Sequence, residues 1–347
     1  MTDVRPPMRV GVVGPGRMGV GIATAILMAG GDDTVVLADV KERTPGNEMS
    51  SLARAHAEIA TNLDLLDDLG ILCGEPGTHL DRLVMTRDLG RDLAGCPLVF
   101  EALPETIESK SPFYRDILGT LGPDCVAASA TSTFALEAFR DMRAPAERVV
   151  TAHWLNPAFL MPLVEVAHAD WTAPTALSRV LGFLAGIGKI AVPLRNSPGF
   201  IVPRIQVAAM NEAVRIVEEG VADAAEVDTA IKAGFGFRLL VLGLLEFIDL
   251  GGLDILAHAG SYLSETLGKE HFSPPASVQG KMAAGELGPR TGRGYYDYEG
   301  VDTAALFQDR YRAFADLLTY VSGSPYLSFF GGVEVRGGHH ADQEERL

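Results

Sequence analysis

The first 195 residues alternate eight short apolar runs, rich in β-branched residues, with stretches long enough to form helices. Such alternation predicts βαβ units, in which a helix connects each strand to a parallel neighbour. We therefore predict an α/β domain with a mostly parallel sheet over residues 1–195. Its predicted strands cover residues 8–14, 34–40, 81–86, 97–103, 125–130, 148–154, 162–167 and 188–194, and residues 46–70 are predicted to form one long amphipathic helix.

The pattern changes at "NSPGF", residues 196–200, after which helical periodicity continues to about residue 322. Ser197 is a candidate helix cap, and Pro198 suits the first position of a helix. We predict an all-α domain over residues 196–325. The Gly-rich and charge-rich end, residues 326–347, is predicted to be disordered.

The charge balance argues against a nucleic-acid partner. The chain carries 45 acidic and 29 basic residues, a net charge of −16, and no run of Lys or Arg that could follow a phosphate backbone. Its start lacks a secretory signal pattern, which favours a cytoplasmic protein. The three cysteines are scattered without metal-site spacing, so we expect buried structural thiols and no metal.

The most apolar run, residues 239–256, contains Glu246, Asp249 and Asp254. Three carboxylates in so short a run argue against a membrane span and favour a buried helical surface. We expect this run to lie in the interface of a homodimer.

A glycine triplet in "VGVVGPGRMGVGIA" places Gly14, Gly16 and Gly19 directly between a predicted strand and a predicted helix, with Arg17 and Met18 among them. This spacing is typical of a Rossmann-type dinucleotide site, where the glycines allow a tight turn, leave room for a pyrophosphate and let the helix approach the strand.

The second predicted strand ends at Asp39, whose carboxylate could accept both ribose hydroxyls and would repel a 2′-phosphate. The pattern therefore favours NAD over NADP, although Lys41 and Arg43 lie close by.

The stretch "TAHWLNPAFLMPLVEV" places His153 and Glu165 on two successive predicted strands. An imidazole suits the base that removes a hydroxyl proton near neutral pH, and a carboxylate on its other nitrogen would fix the tautomer. From spacing alone, a purely structural His–Glu pair is equally compatible with the pattern.

Several blocks together resemble the L-3-hydroxyacyl-CoA dehydrogenase family over residues 8–298. They are the glycine loop, "VFEALPETIESK", "SATST", "HWLNPAFLMPLVEV", "NSPGFIVPR", "IDLGGLD" and "RTGRGYYDY". The resemblance implies NAD-dependent oxidation of an L-3-hydroxyacyl thioester, a place in fatty acid metabolism and a homodimer.

By position in these blocks, the resemblance implies His153 as the base and Glu165 as its partner. Ser132 and Asn156 match polar residues that hold the substrate oxygen and the nicotinamide end. Glu105, Lys110 and Arg290 match residues at or near the cofactor.

The sequence departs from the family pattern at Pro203, where the family has Asn, and in residues 46–70, which offer Arg54, Ser50 and Ser51 but no lysine toward CoA phosphates. Two alternatives therefore stay open for the substrate: a free 3-hydroxy acid of the gulonate or carnitine type, or an acyl-carrier-protein thioester. A catalytically silent NAD-binding protein is a third alternative, against which the intact set of polar site residues argues.

Overall fold

A computed structural model of the chain describes residues 6–40 and 50–324. The chain forms two compact units, which divide between Ala209 and Met210, inside helix α8 (Val202–Glu218). The sequence predicts a boundary at residues 195 and 196, a little earlier than this division. The tail predicted at 326–347 lies outside the described residues.

All eight predicted strands are present in the first unit and form one sheet with the order β3-β2-β1-β4-β5-β6-β7-β8. Every neighbouring pair is parallel except β6 and β7, which are antiparallel. Because β1 lies between β2 and β4, the strand order reverses there, and ligands of such sheets bind outside the carboxyl ends of the strands at that point. The strands are β1 Arg9–Val13, β2 Thr34–Ala38, β3 Leu83–Thr86, β4 Leu98–Glu101, β5 Val126–Ser129, β6 Val149–Trp154, β7 Leu163–His168 and β8 Ile190–Arg195.

Alternate residues of each inner strand pack into two separate apolar clusters, one on each face of the sheet. In β2, Val35 and Leu37 belong to one cluster, whereas Val36 and Ala38 belong to the other. Burial on both faces explains why these strands are apolar throughout rather than alternating.

Helices cover both faces of the sheet. The predicted long helix is confirmed as α2, although residues 46–49 lie outside the described part of the chain. The helices of this unit are α1 Arg17–Met28, α2 Ser50–Asp68, α3 Pro76–Leu80, α4 Leu89–Asp92, α5 Ile107–Pro112 continued by a π turn at Phe113–Ile117, α6 Leu136–Asp141, a 3₁₀ turn at Ala146–Arg148, α7 Pro174–Gly186 and α8 Val202–Glu218.

The prediction that a helix starts at Pro198 is wrong. Residues 198–201 form a turn, and α8 begins only at Val202. The cause is the backbone of Gly199 and Phe200, whose φ angles of +76° and +45° are left-handed and cannot continue a right-handed helix.

The second unit is helical, as predicted, and its described residues contain only isolated bridges in place of strands. Within the run at residues 239–256, Leu242 and Leu253 are buried, whereas Leu240 and Ile255 are exposed. No helix among the described residues is both long and apolar enough to span a bilayer. Its helices are α9 Ala224–Ala230 with a π turn at Ile231–Gly236, α10 Phe237–Leu239, α11 Leu244–Gly251, α12 Leu253–Leu267, a 3₁₀ turn at Glu270–Phe272, α13 Ala276–Ala284, a 3₁₀ turn at Pro289–Thr291 and α14 Thr303–Gly323.

Two of the three cysteines are buried, as expected, but Cys73 is exposed because it lies in the loop that follows α2. Burial raises the pKa of Cys96 to about 11 and that of Cys125 to about 12. Both therefore stay protonated thiols near neutral pH and serve as packing groups.

Candidate functional site

The glycine loop joins β1 to α1 at the point where the strand order reverses. Gly14 has a φ of +107°, and a Cβ there would lie 2.5 Å from the backbone oxygen of Ala102. A Cβ on Gly19 would lie 1.9 Å from the backbone oxygen of Gly14, so the close approach of α1 to the loop requires glycine. A Cβ on Gly16 would meet nothing within 4 Å. The first and third glycines thus shape the turn, and the second keeps a space open beside the N-terminus of α1, where a phosphate is favoured.

A cavity of about 530–540 Å³ opens on this loop, and a second of similar size adjoins it. Most of the residues predicted to bind the cofactor line the first cavity: Gly14, Gly16, Arg17, Met18, Asp39, Glu105 and Ser132, together with Arg54 and Ser51 from α2. The second cavity shares Asp39, Val40, Leu103 and Pro104 with the first and adds apolar side chains such as Leu89 and Phe113. The arrangement offers a polar channel followed by an apolar recess, which matches a dinucleotide whose base sits beyond its phosphates.

Asp39 follows the last residue of β2 and is 3% exposed. Its Oδ2 atom accepts a hydrogen bond of 2.5 Å from the Ser51 hydroxyl. Ser51 therefore orients the carboxylate at the junction of the two cavities. Lys41 and Arg43 lie outside the described residues.

Glu105 organises the loop that follows β5. Its Oε1 atom accepts hydrogen bonds from the hydroxyl of Thr131, from the backbone N–H groups of Ser132 and Thr133 at 3.1 Å each, and from the Thr133 hydroxyl at 2.8 Å. Burial opposes ionisation of Glu105, but the Thr131 hydrogen bond, the charge of Lys110 and the Thr133 hydrogen bond outweigh it and lower the pKa of the carboxyl. The carboxylate thus holds Ser132 at the edge of the cavity.

The structure places Lys110 inside the domain instead of on the cavity wall, where the family resemblance puts it. The side chain is 1% exposed, and its Nζ atom lies 2.8 Å from Glu101 and 3.2 Å from Glu105. The reason is electrostatic: the fully buried Glu101 carboxylate needs a counter-ion, and Lys110 provides it one turn into α5. Lys110 therefore acts on the cavity through Glu105.

Sequence reasoning assigned no role to Glu101. The structure shows that it also accepts hydrogen bonds from Ser129 at 2.6 Å and Tyr114 at 3.0 Å. Burial, then the neighbouring charge of Glu101, raises the pKa of Tyr114 well above its usual range, so Tyr114 remains a donor. The sequence signal was a carboxylate at the end of the wholly apolar run "PLVFE", since a buried charge needs partners.

His153 and Glu165 are direct partners across the antiparallel pair β6 and β7. The His153 Nδ1 atom lies 2.9 Å from Glu165 Oε2, with the imidazole 7% and the carboxylate 1% exposed. Because a carboxylate only accepts, Nδ1 carries the proton and Nε2 is left with a lone pair in the neutral ring. Chemically, Nε2 can accept a proton from a bound ligand.

The turn at residues 198–201, which sequence reasoning took for helix, supports this pair. Glu165 Oε1 accepts hydrogen bonds from the backbone N–H groups of Ile201 at 2.8 Å and Val202 at 2.9 Å, at the start of α8. The Phe200 ring stacks on the His153 imidazole with centroids 5.1 Å apart and planes 24° apart. The left-handed backbone of "GF" is therefore the local device that brings both the ring and the N–H groups onto the dyad.

Asn156 and Ser132 are exposed polar residues near the same edge of the sheet. Asn156 follows β6 by two residues and precedes a cis bond to Pro157, and Ser132 follows β5 by three residues. Pro203 is the second residue of α8, a position where a helix tolerates proline.

Arg290 lies in the second unit. Its guanidinium pairs with Asp254, and it lines a cavity of about 320 Å³ with Asp249 and Phe307. Asp249 is buried and accepts hydrogen bonds from the backbone N–H groups of Tyr295 and Tyr296. Within the described residues, no group of three or more His, Cys, Asp or Glu side chains is arranged to hold a metal ion.

The site residues of the first unit meet at one edge of the sheet because β1, β2, β4, β5 and β6 are parallel. The glycine loop follows β1, Asp39 follows β2, Glu105 follows β4, Ser132 follows β5 and His153 is near the end of β6. A dinucleotide laid across the carboxyl ends of these strands would run from Asp39 toward His153.

Two family models match the chain almost end to end. The model "3-hydroxyacyl-CoA dehydrogenase, NAD binding domain" matches residues 9–197, and the model of the C-terminal domain of the same enzyme matches residues 199–298.

Curated relatives and solved structures resemble the chain over most of its length. It is 32% identical over 304 residues to 5-formyl-3-hydroxy-2-methylpyridine 4-carboxylate 5-dehydrogenase of Mesorhizobium japonicum, covering 87% of this chain and 94% of that protein. It is 33% identical over 293 residues to 3-hydroxybutyryl-CoA dehydrogenase of Bradyrhizobium diazoefficiens, covering 84% and 96%. The crystal structure of a 3-hydroxyacyl-CoA dehydrogenase from Archaeoglobus fulgidus superposes with a TM-score of 0.74 at 30% identity, covering 91% of this chain and all of that one.

Proposed function

Since the chain belongs to the 3-hydroxyacyl-CoA dehydrogenase family, an NAD-dependent oxidoreductase family acting on CH–OH groups, we propose that it oxidises a short or medium L-3-hydroxyacyl thioester with His153 as the base. The observation that carries this proposal is the His153–Glu165 hydrogen bond, on the same sheet edge as the dinucleotide loop. Bound NAD accepts the hydride that leaves the carbinol carbon. The remaining steps belong to residues of the chain.

In this mechanism His153 Nε2 takes the proton of the substrate hydroxyl while the hydride leaves. Glu165 keeps the Nδ1 proton in place and stabilises the imidazolium that forms. The carboxylate itself is held by the N–H groups of Ile201 and Val202 at the positive end of α8, so it stays ionised and oriented. Phe200 fixes the plane of the imidazole by stacking.

We assign Ser132 and Asn156 to the substrate oxygen and the nicotinamide amide. Both side chains are exposed at the edge where the strands end, and the hydrogen bonds of Glu105 fix the loop that carries Ser132. A hydroxyl and an amide each donate and accept, which suits an oxygen that changes from alcohol to carbonyl. Arg290 remains a proposed contributor near the cofactor.

Asp39→Ala should reduce the preference for NAD over NADP. The carboxylate at the junction of the two cavities offers acceptors to the ribose hydroxyls and repels a 2′-phosphate, and its loss removes both effects. The ratio of dissociation constants for NADP and NAD, from calorimetry, should fall by roughly tenfold or more, since one to two kcal/mol of charge-assisted hydrogen bonding is involved. Equal affinity of the unmutated protein for both cofactors would exclude this role for Asp39.

The groups beside the dyad support an acyl chain. Phe200 is 5% exposed against the imidazole, and Ile201 and Pro203 follow it on the same turn. An apolar wall at this point suits a hydrocarbon substituent better than a polyhydroxylated one. The strong net negative charge of the chain works against tight binding of a free acid by long-range attraction.

A second candidate substrate is a ring or chain that bears a free carboxylate. It is favoured by the Mesorhizobium japonicum relative, whose named substrate is a pyridine carboxylate, and by the absence of lysine from residues 46–70. The same dyad would remove the proton from such an alcohol or aldehyde hydrate.

A substrate comparison decides between the candidates. Reduction of NAD should be followed at equal concentrations of 3-hydroxybutyryl-CoA, its pantetheine and carrier-protein thioesters, 3-hydroxybutyrate, gulonate, carnitine and the pyridine carboxylate. We expect the CoA thioester to have the highest kcat/KM, with the pantetheine thioester within about tenfold because the acyl end does most of the discrimination. A higher kcat/KM for any free acid would overturn the thioester assignment and leave the dehydrogenase activity intact.

We also propose that the protein is a homodimer through residues 239–256. Leu240, Leu245 and Ile255 are 73%, 46% and 61% exposed in the single chain, more apolar surface than a lone helical unit usually leaves uncovered. Light scattering at micromolar concentration should give twice the chain mass of 36.9 kDa. Leu240→Glu with Ile255→Glu should shift the mass toward the monomer, and a monomeric unmutated protein would contradict the proposal.

A further inference from the structure

Lys189 is a buried lysine to which neither the sequence motifs nor the proposed mechanism gives a role. It lies directly before β8, and its residue is 9% exposed. Its Nζ atom donates to the backbone oxygens of Ala158 at 2.8 Å, Phe159 at 3.3 Å and Met161 at 2.8 Å. Unlike Lys110, it forms no ion pair with a carboxylate of the described residues, so backbone carbonyls are the groups that compensate its burial.

These three carbonyls belong to the turn between β6 and β7, the strands that carry His153 and Glu165. The same turn contains Asn156, and Leu160 and Met161 each donate to the Pro157 oxygen at 3.0 Å. The backbone of Ile190, the residue after Lys189, donates to Pro162 at 2.8 Å. The lysine therefore connects the start of β8 to both ends of the catalytic hairpin.

A protonated amine matches this site by number, because an ammonium group has three N–H donors and three carbonyls face it. A neutral amine has two donors and would turn its lone pair toward a carbonyl oxygen. The Trp154 ring lies 5.8 Å from Nζ and favours the cation as well. We propose that Lys189 is a positioning residue, which sets the place of Asn156 at the substrate by holding the turn at residues 157–161 with its ammonium group.

The proton on Lys189 can be lost within the range of an ordinary assay. Burial lowers the pKa of Lys189 to about 8. No carboxylate, imidazole or second cation among the described residues of β6, β7, α7 or the turn contributes to this change. Above that pH one of the three hydrogen bonds is lost, and the turn that carries Asn156 is held less firmly.

The test compares Lys189→Met, Lys189→Arg and the unmutated protein, and it rests on the proposed function for its kinetic part. Lys281→Met is the matched control, since Lys281 also donates to a backbone carbonyl, that of Gly294 at 2.6 Å, but lies in the second unit. We expect Lys189→Met to lower kcat by roughly 10- to 100-fold, as for a misplaced orienting group, with KM for NAD within about threefold. Lys281→Met should keep kcat within about twofold.

The pH profile and hydrogen exchange separate positioning from general stability. The unmutated enzyme should lose turnover as pH rises through about 8. Lys189→Arg, whose guanidinium stays charged, should recover part of kcat and move this alkaline limb upward. In Lys189→Met, amides of residues 155–162 should exchange roughly tenfold faster or more while those of β1 keep their rates.

An unchanged kcat in Lys189→Met, or exchange that is faster everywhere, would overturn the proposal by reducing Lys189 to a structural residue. If the unmutated protein oxidises none of the compounds offered, the proposed function fails, and exchange at residues 155–162 alone then decides whether Lys189 holds the turn. Unchanged exchange there would overturn it independently of catalysis.

Discussion

Replacing His153 with alanine should lower turnover by roughly 10²–10⁴, the range for the loss of a positioned general base. The imidazole Nδ1 lies 2.9 Å from Glu165, which leaves Nε2 as the atom that receives the substrate proton. Affinity for NAD should change little, because the residues that line the dinucleotide cavity do not include His153. Stopped-flow or steady-state absorbance of reduced nicotinamide measures the first quantity, and calorimetry measures the second.

His168→Ala is the matched control, since His168 ends the same strand that carries Glu165 but lies outside the dyad. It should keep turnover within about twofold. Glu165→Gln should lower turnover less than His153→Ala and shift the pH dependence, because an amide can still accept from Nδ1 but no longer stabilises a positive ring. Near-full turnover of His153→Ala would return the pair to a structural role.

Gly19→Ala should remove NAD binding together with much of the stability. The new Cβ would lie 1.9 Å from the Gly14 oxygen, an overlap with backbone that only a shift of α1 away from β1 can relieve. We expect the free energy of unfolding to fall by about 3 kcal/mol, the upper part of the range for overpacking, and NAD affinity to fall by roughly 100-fold. Urea denaturation and calorimetry measure the two effects.

Gly16→Ala is the informative partner of that variant. Its Cβ meets nothing within 4 Å, and its φ of −91° suits alanine, so stability should change by only a few tenths of a kcal/mol. NAD affinity should nevertheless fall by roughly tenfold or more, because the methyl group takes the space left for the pyrophosphate. If Gly16→Ala bound NAD as tightly as the unmutated protein, the phosphates would have to lie elsewhere.

Local patterns in the sequence were sufficient for the sheet and for the type of chemistry. Strands are short apolar runs because both faces of the sheet are buried, and that property is visible in neighbouring residues without any knowledge of their partners. The glycine loop could be found because its spacing reflects one turn and one helix start. His153 and Glu165 could be placed opposite each other because only a short turn separates their strands.

The tertiary structure decided what the local pattern leaves open, namely which partner each polar group has. Lys110 turns inward because Glu101, on another element, is buried and needs a counter-ion, and no periodicity announces that pairing. The same holds for Ser51 beside Asp39 and for Lys189 beneath the turn after Asn156.

The sequence by itself determined the alternating sheet, the dinucleotide loop and the presence of a base with a carboxylate partner, since each depends on residues close together in the chain. Only the tertiary structure decided the start of α8, because the left-handed backbone at Gly199 and Phe200 is stabilised by contacts with β6 and β7 rather than by its own sequence. Helix propensity is a weak local preference. Two N–H groups on a buried carboxylate and a ring on the catalytic imidazole outweigh it.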